Sequence, residues 1–127
     1  MAVLFTKAFL IDDDSINNFL SKEIIESENI ASEIIELTNG QEAMYYFQTF
    51  EPSSDEKLLI LLDLNMPVMD GFSFLKRFYR LSPSYDFQMV ILTSSDNQRD
   101  KNKLEPFHIK HFIDKPITTE KLLAIIE

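Results

Sequence analysis

Four short apolar runs in this chain each end on a residue that can do chemistry. Residues 58–62 (LLILL) lead to Asp63 within LLILLDLNMPVMDG, and residues 5–11 (FTKAFLI) lead to Asp12, Asp13 and Asp14. Residues 87–92 (FQMVIL) lead to Thr93, and residues 109–113 (IKHFI) lead to Asp114, Lys115 and Pro116. A carboxylate at the end of a buried run is costly unless something there uses it. Carboxylates brought close together repel, and one stays protonated unless a cation sits among them. All-oxygen ligands suit a hard divalent ion, and a site with few protein ligands and several waters suits Mg²⁺. A metal and a lysine together neutralise a transferring phosphoryl group. The remaining aspartate could be the nucleophile, since Asp forms acyl phosphates. Taken singly, each group has an ordinary explanation. Asp12 to Asp14 could be a solvated helix start favoured by the dipole, Asp63 a turn cap, Thr93 a strand-end hydroxyl and Lys115 a surface lysine. Their convergence depends on the elements that carry them.

A run as apolar and short as 58–62 reads as a strand buried on both faces. Residues 5–11, 87–92 and 109–113 read as further strands, and 30–37 (IASEIIEL) as a partly alternating one near an edge. Between them lie helical patterns. Ser15 can cap a helix in which Ile16, Phe19, Leu20 and Ile24 follow helical spacing. Thr38-Asn39-Gly40 admits two readings. Asn-Gly is a hairpin signal, but Ala43, Met44, Phe47 and Phe50 lie at helical spacing, which favours a helix. After Gly71 a helix carries Phe74, Leu75, Phe78 and Leu81 and stops at Ser82-Pro83. Residues 94–105 are very polar, with Leu104 the one large apolar residue, and read as a short, weakly anchored helix. Thr118 or Thr119 caps a last helix bearing Leu122, Leu123, Ile125 and Ile126. Strands alternating with helices imply an α/β fold: a doubly wound five-stranded parallel sheet with right-handed crossovers and helices on both faces. In such sheets ligands bind beyond the carboxyl ends of the strands, where Asp12, Asp13, Asp63, Thr93 and Lys115 all fall.

Composition narrows the chemistry. With 127 residues, one domain is expected. A formal charge of −9 disfavours nonspecific nucleic-acid binding. Two glycines, Gly40 and Gly71, leave no room for a glycine-rich phosphate loop. There is no cysteine, hence no disulfide or thiol chemistry. No apolar run reaches the roughly 20 residues of a membrane span, no signal peptide opens the chain, and a cytoplasmic location is the default expectation. DDDSINN is not a calcium loop, because Ile16 stands where a ligand belongs and the glycine is missing. Asn65 stands where a haloacid-dehalogenase-type phosphatase would need its second aspartate. His108 and His111 flank one strand without an obvious catalytic partner.

These residues closely resemble the receiver domain of two-component response regulators, the chemotaxis-regulator-like (CheY-like, flavodoxin-like) family. LIDDD is similar to its acidic pocket, LLDLNMPVMDG to its phosphoacceptor segment, ILTSSD to its switch-hydroxyl segment and FIDKP to its lysine-proline segment. The match covers nearly the whole chain and implies a single receiver domain over 1–127 with strand order 2-1-3-4-5. It implies that Asp63 is the phosphoacceptor, taking a phosphoryl group from the phosphohistidine of a histidine kinase or phosphotransfer protein. It further implies that Asp13 binds Mg²⁺ (or Mn²⁺) directly and Asp12 mainly through water, with Asp63 and the backbone carbonyl of Asn65 as further ligands. Thr93 would turn inward to the phosphoryl group, Lys115 would pair with it, and the Lys115–Pro116 bond would be cis. Phe112 falls on the aromatic switch position, and the face of the fourth helix, fifth strand and fifth helix would change protein partners. Such a module is not an enzyme in the usual sense, since it catalyses only its own phosphorylation and dephosphorylation. Nucleic-acid and membrane binding are not expected. The chain departs from the family in having Phe rather than Tyr at position 112, and in the bulky Glu105-Pro106-Phe107-His108 before the fifth strand. Asn65 and Ser95 stand where the family tunes the lifetime of the phosphorylated state. A metal-dependent small-molecule phosphohydrolase and an unphosphorylated pseudo-receiver are the alternatives. The first would need a substrate pocket and a water-activating base, the second a missing Asp or Lys.

Overall fold

Residues 57–63 show why this chain folds around its centre. The strand Lys57–Asp63 has Leu58 through Asp63 buried without a break, because a strand covered on both faces has no solvent side. The computed structural model of the chain describes residues 3–51, 55–64, 66, 69–93 and 98–126, with backbone alone at 98–100. The described elements are β1 (Phe5–Ile11), α1 (Ser15–Ser27), β2 (Ala31–Leu37), α2 (Gly40–Thr49) and β3 (Lys57–Asp63), then α3 (Gly71–Arg80), β4 (Asp86–Thr93), α4 (Gln98–Leu104), β5 (His111–Asp114) and α5 (Thr119–Ile126), with a 3₁₀ turn at Glu105–Phe107. All neighbouring strands pair in parallel, in the order β2-β1-β3-β4-β5. The α/β doubly wound sheet expected from the alternation of elements is therefore the fold observed.

Two cores flank the sheet. One joins Phe9, Ile60, Leu62 and Ile91 to Ala43, Met44 and Phe47 of α2 and Phe74, Leu75 and Phe78 of α3. The other joins Ala8, Leu59, Leu61 and Val90 to Ile25 of α1 and Leu122 of α5. These central sheet residues split between them by parity, as the alternation of a strand requires.

Several local expectations change. The α1 cap is Asp14, not Ser15: its carboxylate accepts the Ile16 N–H at 2.9 Å. The inward residues of α1 are Asn18, Ser21 and Ile25, whereas Ile16 and Phe19 are 69% and 60% exposed. Half of the expected apolar stripe holds, since Leu20 and Ile24 pack against the core, while at the start of the helix Asn18 turns inward to the Asp12 carbonyl and Ile16 and Phe19 stay outside. As the helical spacing favoured, Asn39-Gly40 starts a helix rather than a hairpin, with the Asn39 side chain accepting the Glu42 N–H at 2.8 Å. Glu42 reaches back to the Thr38 N–H at 3.2 Å, closing a reciprocal cap. In α3, Leu81 lies past the last helical residue and is 41% exposed, and Ser82 takes a left-handed φ of 50°. The fourth helix starts at Gln98 and is held by Leu104, 1% exposed. β5 begins at His111, two residues later than expected, after His108 adopts a left-handed φ of 55°. Thr118 supplies the α5 cap, its hydroxyl accepting the Lys121 N–H at 3.2 Å.

Candidate functional site

The acidic cluster is assembled by two adjacent strands, β1 and β3, which pair up to Ile11↔Leu62. The next residues along each strand, Asp12 and Asp63, therefore emerge side by side at the sheet edge. Asp12 is 1% exposed, Asp63 is 3% exposed, and Asp13 faces solvent. One carboxylate oxygen from each of Asp12, Asp13 and Asp63 lies within 4.8 Å of the others.

Asp12 is held in place from several sides. Its Oδ1 accepts the Asp14 N–H at 2.9 Å, and its backbone carbonyl accepts the amide of buried Asn18 at 2.9 Å. Its Oδ2 is buried and has no hydrogen-bond partner among the described residues. Lys115 Nζ stands 3.4 Å from that oxygen, near enough for attraction but without hydrogen-bond geometry. The same ammonium is 3.1 Å from Asp63 Oδ1. An orphaned buried oxygen is uncommon in a folded protein. Here it lies beside two further carboxylates, a donor set that fits a hard divalent cation.

The electrostatics follow from burial. Removal from water pushes the Asp12 carboxyl up to about 6 against the bond from Asp14, with Asp63 adding repulsion and Lys115 opposing it. Burial pulls Lys115 down, but Asp12 and Asp63 more than offset this, and its pKa stands above the ordinary value. A carboxyl whose pKa rises on folding favours the folded state below its ordinary value of 3.8, and that contribution is lost by about pH 6. In EDTA, Asp12→Asn is therefore expected to gain stability over wild type as pH rises from about 4 to about 6, reaching about 2 kcal/mol. Urea unfolding of both proteins across that range checks the sign, and a constant difference would contradict it.

Thr93 closes β4, 3% exposed, and donates from Oγ1 to Asp114 Oδ1 at 3.0 Å. Its carbonyl accepts the Lys115 N–H at 2.7 Å, tying the ends of β4 and β5 together. The Lys115–Pro116 peptide bond is cis. Phe112 is half-buried on β5, with Lys101 Nζ 5.6 Å from its ring centroid. Asn65 and Ser95 lie outside the described residues. Asp12, Asp13, Asp63, Thr93 and Lys115 thus share one end of the sheet, and Phe112 sits two residues back along β5.

Gly71 shapes the exit from β3. Its N–H donates to the Leu64 carbonyl at 2.9 Å, and a Cβ there would lie 2.7 Å from the Asp63 carbonyl oxygen. Gly40 meets the same loop from α2, donating its N–H to the Met69 carbonyl at 3.1 Å. Sequence reasoning missed Asn18 and Asp114. Asn18 carried one available signal, its place four residues after the capping Asp14 on the helix that follows the acids.

The family model for the response regulator receiver domain matches residues 8–127. The chain belongs to the response regulator receiver domain family. Among curated relatives, this receiver is 27% identical over 119 residues to two-component response regulator 24 of Arabidopsis thaliana, covering 94% of this chain and 80% of that protein. It is 28% identical over 121 residues to response regulator Rcp1 of Synechocystis, covering 93% and 82%. Among solved structures, the chemotaxis protein CheY4 of Vibrio cholerae is 26% identical with a TM-score of 0.74, covering 94% of each chain. A two component response regulator of Cytophaga hutchinsonii is 27% identical with a TM-score of 0.77, covering 94% and 92%. The pocket of Asp12, Asp13 and Asp63 fits the phosphorylation site of such receivers, and the chain is a signalling module of the two-component type. No described helix is long and apolar enough to cross a membrane.

Proposed function

We propose that this receiver accepts a phosphoryl group on Asp63 from the phosphohistidine of a histidine kinase or phosphotransfer protein, and that the change alters a protein-binding face. The observation that carries this reading is the Asp12–Asp13–Asp63 cluster at the sheet edge, with the Lys115 ammonium 3.1 Å from Asp63. An Asp63 carboxylate oxygen attacks phosphorus, the bond from phosphorus to the donor atom breaks, and the donor leaves with that electron pair. Asp13 would bind Mg²⁺ (or Mn²⁺) directly, with Asp12, Asp63 and the Asn65 carbonyl completing the protein's share. When bound, that ion draws charge off the phosphoryl oxygens. Lys115 moves its attraction from the carboxylate to the phosphoryl oxygens, and the Thr93 hydroxyl donates to one of them. Phe112 then changes its packing, and the face built on α4, β5 and α5 exchanges protein partners. The unit proposed is one receiver domain over 1–127, catalysing only its own phosphorylation and dephosphorylation and binding neither nucleic acid nor membrane. With an acidic charge of −9 and no spanning helix among the described residues, a cytoplasmic setting is consistent with this role.

Incubation with Mg²⁺ and a small acyl phosphate, followed by intact mass, tests the reading. One phosphoryl adduct on wild type, absent from Asp63→Asn, is expected. Catalytic release of phosphate without an adduct would mark a phosphohydrolase instead, and neither adduct nor turnover a pseudo-receiver.

A further inference from the structure

Thr93 and Asp114 are direct partners where the parallel strands β4 and β5 end, and their side chains meet at 3.0 Å. We propose that Asp114 is a positioning residue that holds the Thr93 hydroxyl in the unphosphorylated protein and competes with the phosphoryl group for its proton. This rests on the reading of Asp63 as phosphoacceptor and Thr93 as its hydroxyl donor. A hydroxyl carries one proton, while carboxylate and phosphoryl oxygens only accept. Thr93 therefore cannot donate to Asp114 and to a phosphoryl oxygen at once.

The surroundings make that choice a two-position one. The Thr93 side chain is buried, so its proton needs an acceptor in either state, whereas Asp114 is exposed and water can replace the lost bond. The backbone around Asp114 is fixed independently of its carboxylate. Lys115 N–H donates to the Thr93 carbonyl at 2.7 Å, and Lys121 Nζ donates to the Asp114 and Pro116 carbonyls at 2.9 and 3.0 Å. The side chain can thus let go without dragging the strand. Phe112 precedes Asp114 by two residues and shares its side of the sheet. Its ring has no hydroxyl, so it can neither donate to nor accept from the β4 end. The Thr93–Asp114 bond is a polar side-chain link between those two strand ends, and phosphorylation would release its carboxylate on the side that carries Phe112.

Affinity for beryllium trifluoride, a stand-in for the phosphoryl group, in saturating Mg²⁺ tests this on the full chain. Asp114→Ala is expected to bind it roughly fivefold more tightly than wild type, the equivalent of one hydrogen bond freed from competition. In a Thr93→Val background the same substitution should change nothing, because no hydroxyl remains to be released. An equal gain in that background would mean that the Asp114 charge acts through space, and would overturn the proposal. So would wild-type affinity in Asp114→Ala, with cooperative unfolding showing the variant intact. If wild type takes up neither the fluoride nor a phosphoryl adduct, the Asp63 reading fails and this proposal falls with it.

Discussion

Lys115→Met is expected to lower stability by about 3 kcal/mol at neutral pH in EDTA, the lower end of what breaking a buried ion pair costs. The ammonium sits 3.1 Å from Asp63 and 3.4 Å from Asp12, and those carboxylates are 3% and 1% exposed. Methionine keeps most of the stem packing and removes the charge, so two buried acids face each other without a counter-ion. They respond by taking up a proton, which limits the loss but ties it to pH. Saturating Mg²⁺ should stabilise the variant more than it stabilises wild type, because the cation replaces the missing charge. Urea unfolding with EDTA or Mg²⁺ measures both differences. Equal stability of the two proteins in EDTA would mean that Lys115 does not compensate the acids. Phosphoryl-adduct formation by the variant is expected to slow by about a hundredfold, since one of two cationic groups at the transferring oxygens is gone.

Gly71→Ala is expected to cost about 2–3 kcal/mol and to slow adduct formation at least about tenfold, although no side chain of the acidic cluster changes. The added Cβ would lie 2.7 Å from both the Asp63 carbonyl oxygen and Leu64 Cα. Both are backbone atoms, so relief must come from moving the end of β3 or the start of α3. Asp63 rides on that strand end, and a nucleophile displaced by a fraction of an ångström loses alignment with its donor. No positive φ is involved, so close approach alone demands glycine here. Denaturant unfolding and the rate of adduct formation, measured together, check this. A variant that loses stability but phosphorylates at the wild-type rate would show that the strand end does not move.

The site was legible in the sequence because each of its groups closes a strand. Parallel strands read as unbroken apolar runs, and the first one or two residues after each run must lie at the carboxyl edge. That placed Asp12, Asp63, Thr93 and Lys115 with no knowledge of side-chain contacts. What periodicity could not reveal was which stripe of α1 faces inward. Leu20 and Ile24 of the expected face do pack on the core, but Ile16 and Phe19 stay outside while Asn18 turns in, because the acidic pocket needs a donor for the Asp12 carbonyl. A polar site overrides hydrophobic patterning nearest to where it is built. Leu81 misled similarly, since the helix ends at Arg80 and the apolar residue beyond it is left outside. Asp114 went unread because its role depends on register. Only the pairing of Thr93 with Asp114 shows that their side chains meet.

On the proposed reading, this sheet edge makes Asp63, and none of its acidic neighbours, the phosphoacceptor. Borohydride reduces an acyl phosphate on aspartate to homoserine, which marks the modified residue permanently. Wild-type protein phosphorylated by a small acyl phosphate in Mg²⁺, then reduced and mapped by peptide mass spectrometry, should carry homoserine at position 63 alone. Homoserine at position 12 or 13, or a phosphoryl adduct that leaves none at 63, would contradict it.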